Sequence, residues 1–292
     1  MLRLWSIRVS LLSKAPKIRR HDRVMFWIVP EMKTCDSAIL PMSVIVTGGS
    51  SGIGEAVVRL CVGKGIDAGI IDLNEERGVS LTDELGPKAR FAKADVCNPD
   101  AMEKAFSTLA ESMPPITGCF ASAGILPSRL PIEDTSLDEF RRVMDNHISG
   151  TYLTCKIAGA VMQKREQGSI VTVASVLAIR PGPVLGYGAG KAAVINLTQS
   201  LAVQWSKKNI RVNTICPGWV DTPFIRKQEA EGRDLSPITS MTPMRRLVKP
   251  DEIAELAYFL LSPASSAMTG SVVVADAGIS LAGGYLPYGE LP

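Results

Sequence analysis

From residue 42 onward, short apolar runs alternate with longer stretches of helical periodicity. "VIV" at 44–46 predicts a first strand, followed by glycines and a helix through "EAVVRLCVGKG" that Gly63 and Gly65 stop. Further strands are expected in "DAGIID" at 67–72, "ARFAKADV" at 89–96, "ITGCFASAG" at 116–124 and "GSIVTVAS" at 168–175. Two more are expected in "IRVNTICPG" at 210–218 and "GSVVVADAG" at 270–278. Between the fourth and fifth strands, "LDEFRRVMDNHISGTYLTCKIAGAVMQKRE" reads as one long helix. The next helix runs from about Tyr187 to Lys208 and carries Val194, Leu197, Leu201 and Trp205 on one stripe. In "PDEIAELAYFLLS", Pro250 stands near the first turn, and Ile253, Leu256, Ala257, Leu260 and Leu261 repeat at helical spacing.

Repeated β-α units of this length predict an α/β fold: a doubly wound, parallel, seven-stranded sheet with helices on both faces. The continuously apolar "AGII" suits a strand covered on both sides. No linker interrupts 42–284, so residues 42–292 are expected to form one domain. Residues 1–41 are read as a separate extension, disordered or loosely attached. Its first 20 residues carry Arg3, Arg8, Lys14, Lys17, Arg19 and Arg20 and no acid. Such a segment resembles an organelle presequence or a membrane-surface helix. The plainer reading is a disordered tail, since Met42 stands directly before the first strand and would serve as a first residue.

Composition narrows the function classes. Hydrophobic residues make up 46% of the chain and charged residues 21%, enough apolar side chains to bury a core. A net charge of +3 gives no support for nucleic acid as a partner. The six cysteines are scattered without a C-x-x-C pair, which favours reduced thiols and argues against a metal site. The two histidines, His21 and His147, lack ligand spacing, so neither a zinc hydrolase nor a histidine-based triad is supported. No apolar run of about 18 residues predicts an integral membrane segment. A cytoplasmic location follows as the expectation.

Two features carry candidate chemistry. "VIVTGGSSGIGEAV" places Gly48, Gly52 and Gly54 between a strand and a helix, where glycines allow a tight turn and a close backbone approach. The helix N-terminus then offers unpaired N–H groups to a pyrophosphate. Asp72 ends the second strand, where a carboxylate accepts hydrogen bonds from adenine-side ribose hydroxyls and repels a 2′-phosphate. No Arg or Lys stands at Ser51 or Leu73, so NAD is favoured over NADP. In "YGAGKAAVINL", Tyr187 and Lys191 lie four residues apart, on one helical face.

T-G-x-x-x-G-x-G at 47–54, Asp95, Asn146, Ser175, Y-x-x-x-K at 187–191 and "PGWVDTP" at 217–223 occur in order. Together they resemble the short-chain dehydrogenase/reductase family over about residues 42–284. The resemblance implies a Rossmann-type sheet of strand order 3-2-1-4-5-6-7. It implies a cofactor turn of Gly48, Ser50, Ser51, Gly52, Ile53 and Gly54, with Asp72 and Leu73 beside the adenosine ribose. Asp95 and Val96 would lie by the adenine, and Ala123, Gly124, Pro217, Gly218 and Val220 along the cofactor. Thr222 would bind the carboxamide.

The resemblance further makes Tyr187 the acid/base. A free phenol titrates near about 10. A nearby Lys191 ammonium and an oxidised nicotinamide would stabilise phenolate, and Lys191 would also bond the nicotinamide ribose. Ser175 would bond the substrate oxygen, and Asn146 would hold a water linking Lys191 to solvent. Two departures stand out. "ASAG" at 121–124 replaces the family's N-N-A-G, removing side-chain amides that brace the central sheet, and "DAG" at 276–278 replaces D-G-G.

Substrate is expected beyond the carboxyl ends of the strands. Three segments gather there: "ILPSRLPIED", "VLAIRPGPVLG" and the long "PFIRKQEAEGRDLSPITSMTPMRRL", which reads as a lid. Ile125, Leu126, Val176, Leu177, Val184, Leu185 and Phe224 are candidate apolar walls. Arg180 is read as a solvated loop residue rather than an anion receptor. The leading expectation is an NAD-dependent oxidoreductase acting on a secondary alcohol or ketone, assembled as a homotetramer or homodimer by analogy. The alternatives are an NADPH-dependent 3-oxoacyl-thioester reductase and a non-catalytic NAD-sensing protein.

Overall fold

A computed structural model describes residues 43–125 and 130–284. The expectations for residues 1–41, for Met42 and for Leu126 lie outside the described residues. The strands are β1 (Ser43–Thr47), β2 (Asp67–Asp72), β3 (Ala89–Lys93), β4 (Ile116–Ala121), β5 (Gly168–Val173), β6 (Ile210–Pro217) and β7 (Val272–Ala275). They form one sheet in the order β3-β2-β1-β4-β5-β6-β7, and all neighbours are parallel. This is the expected doubly wound sheet. Strand β2 spans the whole expected run and β1 slightly more than its own, whereas β3 to β7 end before their sequence runs do, because the last residues of those runs leave the sheet.

Successive side chains of a strand point to opposite faces, and here they sort two cores. Val44, Val46, Ile70, Phe120 and Ile215 pack on one face with α1 (Gly52–Gly63) and α9 (Pro250–Leu261). Ile45, Ile71, Cys119, Ile170 and Val212 pack on the other with α3 (Pro99–Ser112), α5 (Gly150–Gln163) and α6 (Leu185–Trp205). The predicted stripe on α6 is the buried one: Val194, Leu201 and Trp205 are all inside. The remaining β-α unit places α2 (Glu75–Leu85) between β2 and β3, with Asn74 capping its N-terminus through a bond from Arg77 N–H.

The long helix expected before β5 is broken in register. It comprises α4 (Leu137–Met144), a π-helical turn at Asp145–Ser149, and α5. Such a bulge inserts one residue into the helical turn and often marks a functional position. The segment after β6 holds two short helices, α7 (Pro223–Ala230) and α8 (Ser236–Met241), packed on a small core of Ile225, Leu235 and Ile238.

The two departures from the family pattern have local answers. Ser122 bonds the carbonyl of Thr47 through its hydroxyl at 2.7 Å, so a serine braces β4 against β1. Ala277 adopts φ 53°, a left-handed conformation suited to glycine, while Asp276 accepts N–H bonds from Gly278 and Ser280 around it. The left-handed region costs an L-residue roughly 1–2 kcal/mol, and glycine's extra backbone entropy returns about half of that. Ala277→Gly is therefore expected to raise unfolding free energy by about 0.5–1 kcal/mol, read from urea midpoints at unchanged slope.

The cysteines of the described residues are free thiols, four buried and Cys97 exposed. Among the described residues no helix is long and apolar enough to cross a membrane, and no cluster of metal ligands occurs.

Candidate active site

The strands' carboxyl ends open onto one cavity of about 640 Å³. Its floor begins at the turn after β1, where Gly48 and Gly52 have φ of 68° and 56°. A Cβ on Gly48 would lie 2.8 Å from Ala123 Cα, and one on Gly54 would lie 2.1 Å from the Gly48 carbonyl oxygen. Backbone therefore packs on backbone here, which only glycine permits. Helix α1 starts at this turn, and its N-cap Ser51 makes no side-chain capping bond. The first N–H groups of the helix thus face the cavity, an arrangement suited to a phosphate.

Gly48, Ser51, Gly52, Ile53, Gly54, Asp72, Leu73 and Val96 all line the cavity. The Asp72 carboxylate is held by N–H donors of Ser50 at 3.1 Å and Asn74 at 3.0 Å, at the end of β2. Ala123, Gly124, Pro217, Gly218, Val220 and Thr222 continue the wall. Two expected cofactor residues stand one step behind it. Ser50 is buried and acts through its N–H on Asp72. Asp95 turns its carboxylate back to the N–H of Cys97 at 2.9 Å.

Ser175, Tyr187, Lys191 and Asn146 also line this cavity. Ser175 follows β5 and caps the short turn Val176–Ala178, accepting a bond from Leu177 N–H at 3.1 Å. Its hydroxyl also bonds the Tyr187 phenol. Lys191 is buried one helical turn beyond Tyr187, and its Nζ donates to the Val173 carbonyl at 2.7 Å. That nitrogen lies 5.7 Å from the Tyr187 ring centre.

The electrostatics of the pair differ from the expectation that its surroundings favour phenolate. Burial pushes the Tyr187 phenol above its ordinary value, and the Ser175 hydroxyl bond opposes that only in part. Burial also lowers Lys191 to about 8, with the neighbouring Cys216 opposing. Desolvation penalises the charged form of both groups and is the largest cause of each shift.

Asn146 sits in the π-helical turn, where its side chain bonds Cys97. Its carbonyl oxygen Oδ1 is buried without a hydrogen-bond partner. The next residue, His147, meets the Tyr187 ring edge-to-face, with centroids 4.9 Å apart and planes at 88°. Nothing in the spacing of His147 along the sequence announced this contact, since it depends on the helical bulge. Sequence reasoning also missed Trp219, Gln228 and Arg233. The Arg233 guanidinium lies 4.7 Å over the Trp219 ring and donates to Gln228 Oε1, and all three line the cavity. A tryptophan–arginine stack joins residues 14 apart through the fold of the segment after β6, with no local signal. Of the expected apolar walls, Ile125, Val176, Leu177, Val184 and Phe224 line the cavity. Leu185 is exposed and outside it, as is Arg180.

Residues 48–280 match the family model described as "Enoyl-(Acyl carrier protein) reductase". A 2,5-dichloro-2,5-cyclohexadiene-1,4-diol dehydrogenase of Sphingobium indicum is 35% identical over 241 residues, covering 82% of this chain and 96% of that one. A cis-4-hydroxycyclohexanecarboxylate dehydrogenase of Sinomonas cyclohexanicum is 32% identical, covering 80% and 94%. The crystal structure of a levodione reductase superposes with a TM-score of 0.77 at 29% identity, covering 83% of this chain and 99% of its own. With the parallel sheet, the glycine turn and the Ser175–Tyr187–Lys191 cluster gathered at one cavity, this chain belongs to the short-chain dehydrogenase/reductase family of oxidoreductases.

Proposed function

We propose that the protein is an NAD-dependent dehydrogenase of a secondary alcohol, reversible toward the ketone, with Tyr187 as acid/base. The observation that carries this reading is the Tyr187 phenol bonded to Ser175, with buried Lys191 one turn behind, in the cavity that also holds the glycine turn. The cradle suits a dinucleotide, because the turn admits close approach only where Cβ atoms are missing. When bound, the nicotinamide supplies hydride transfer. Ser175 orients the substrate oxygen by hydrogen bonding. Tyr187 takes the hydroxyl proton in oxidation and returns it in reduction. Lys191 holds the nicotinamide ribose and, while protonated, favours the phenolate. Thr222 and the backbone at Pro217–Gly218 fix the carboxamide end, and the Arg233–Trp219 stack closes the lid side of the pocket.

The substrate pocket is walled by Ile125, Val176, Leu177, Val184 and Phe224, which fits a compact, mostly apolar carbon frame. The relatives named for cyclic alcohols support a cyclic secondary alcohol as substrate. A screen of cyclohexanol-type alcohols with NAD, followed by NADH absorbance, tests this reading. Turnover only with NADPH and a 3-oxoacyl thioester would replace it with the acyl reductase, and tight NAD binding without turnover of any alcohol would replace it with a sensor.

Asp72 underlies the choice of NAD. Its carboxylate ends β2 at the cavity wall, where a 2′-phosphate would meet like charge. Asp72→Ser is expected to lower the ratio of kcat/KM with NAD to that with NADP by about a hundredfold, about 2.7 kcal/mol of discrimination. A wild-type enzyme that prefers NADP would refute the assignment.

A homotetramer is the assembly we infer. Val203 on α6 is 79% exposed and Tyr152 on α5 47%, so both central helices present apolar side chains outward. Light scattering coupled to size exclusion measures the mass directly.

A further inference from the structure

One charged side chain of the cavity has no chemical task in the reaction proposed above. Helix α7 ends at Ala230, and Gly232 then takes φ 93°, a left-handed conformation that glycine adopts without a Cβ clash. The chain turns back, and the Arg233 N–H donates to the Gln228 carbonyl at 2.9 Å. This return brings the Arg233 side chain to Gln228 and Trp219, with its guanidinium carbon 4.7 Å from the indole ring centre. Trp219 in turn packs on the small core of Ile225, Leu235 and Ile238. Gln228 Oε1 accepts a guanidinium N–H, while Gln228 Nε2 donates to the Phe224 carbonyl at 3.3 Å. An aromatic platform on one face and an amide at one edge fix the plane of the guanidinium.

Charge pairing singles this arginine out. In the same stretch of chain, Arg226 pairs with Asp221 and Glu229, and Arg246 with Glu252. Among the described residues no carboxylate pairs with Arg233. A guanidinium has five N–H donors and keeps its charge at every working pH, so the bond to Gln228 leaves donors over. Arg233 is half-buried and lines the cavity that holds Ser175 and Tyr187. Asp72 is the one acid among the described residues lining that cavity, and the N–H groups of Ser50 and Asn74 hold it at the end of β2. The cofactor pyrophosphate has its own receptor in the first N–H groups of α1. What remains is a fixed cation beside apolar walls, without a counter-ion of its own, and an anion brought by a ligand would pair it.

We propose that Arg233 determines specificity, and that the substrate is a cyclic secondary alcohol bearing a carboxylate, a hydroxycycloalkane carboxylic acid oxidised to its oxo acid. The inference rests on the alcohol dehydrogenase reading and adds a second functional group to the substrate. Ser175 and Tyr187 take the reacting oxygen, and the apolar walls take the ring. The Arg233 fork takes both carboxylate oxygens, a bidentate match that a neutral ester or amide lacks. The carboxylate itself is unchanged in the reaction. The carbinol carbon gives its hydride to NAD, and its hydroxyl proton goes to Tyr187. Arg233 binds a part of the substrate that does not react, so its effect falls on KM more than on kcat.

Initial rates of NADH formation are compared for 4-hydroxycyclohexanecarboxylate and its methyl ester. Wild-type kcat/KM for the acid is expected to exceed that for the ester at least about tenfold, mainly through KM. Arg233→Met keeps an unbranched apolar stem over Trp219 and removes the charge. It should cut kcat/KM for the acid about 10–100-fold, the scale of a hydrogen bond to a charged group, and erase the preference for acid over ester. Oxidation without that preference in the wild type, or a preference that survives Arg233→Met, overturns the inference. So does an NAD affinity weakened about tenfold or more in Arg233→Met, which would assign the charge to the cofactor. A binding arm needs no turnover. Cyclohexanecarboxylate has no hydroxyl to oxidise. Titrated into the protein with saturating NADH, it should bind at least about tenfold more tightly than cyclohexanecarboxamide, and Arg233→Met should abolish the difference. That difference without NADH formation from any alcohol would retire the dehydrogenase reading while the anion receptor stands. Equal binding of acid and amide overturns the anion receptor whatever the turnover, and this wild-type comparison decides even if the methionine variant fails to fold.

Discussion

Tyr187→Phe is expected to reduce kcat for alcohol oxidation by about 10²–10⁴-fold, the contribution of a positioned acid/base, while NAD affinity stays within about twofold. The substitution removes one oxygen and leaves the ring. The edge contact with His147, 4.9 Å between centroids, survives, and so does the packing at the start of α6. What disappears is the hydroxyl bonded to Ser175, and with it the one group placed to exchange a proton with a substrate oxygen bound there. Circular dichroism and thermal melting verify that the fold is intact, and a variant with full turnover would end the acid/base assignment.

The pH profile of the wild type follows from the same groups. Oxidation needs the phenolate and reduction needs the phenol. Burial raises the phenol, so the deprotonated form grows only on the alkaline side. Oxidation is therefore expected to climb with pH from 6 toward 9 while reduction falls over the same range. Lys191, brought down to about 8, loses its charge within that range. The oxidation limb should accordingly flatten above pH 8, as the ammonium that favours phenolate is discharged.

The second large effect is on the cofactor turn. Gly54→Ala would place a Cβ 2.1 Å from the Gly48 oxygen, 2.8 Å from its carbonyl carbon and 3.0 Å from Gly49 Cα. All three neighbours are backbone, so no side chain can rotate away. The turn itself must move, and it is pinned by the positive φ of Gly48 and the bond from Gly48 N–H to the Ile71 carbonyl at 2.9 Å. Overpacking of this kind costs about 1–3 kcal/mol of stability. NAD affinity is expected to weaken at least about tenfold, equal to 1.4 kcal/mol of binding, by titration calorimetry. Gly63→Ala is the control, since a Cβ there has nothing within 4 Å. It should leave binding unchanged. Equal NAD affinity in the Gly54→Ala protein would show that the turn does not cradle the dinucleotide.

Periodicity carried the fold a long way. The inner strands β1, β2, β4, β5 and β6 were legible because a parallel strand buried on both faces reads as an apolar run bounded by turn residues, while the edge strands β3 and β7 are only half-buried and were read from their place in the β-α alternation. Helix α9 was legible from Ile253, Ala257, Leu260 and Leu261, which meet the sheet on one stripe. The π-helical turn was not, because one residue's excess leaves the helical pattern on either side intact. The short helices α7 and α8 were also hidden. They are eight and six residues long, too short for a period to emerge, and their stability comes from the small core under them.

Local order in the chain settled the parallel β-α architecture, the glycine turn and the pairing of Tyr187 with Lys191, because all three are written in spacings of a few residues. Tertiary packing alone decided that His147 sits behind the phenol, that Arg233 stacks on Trp219, and that burial is the largest influence on Tyr187 and Lys191. These depend on which distant segments exclude water around a group, and desolvation is a property of the assembled surroundings, invisible in any one stretch of sequence.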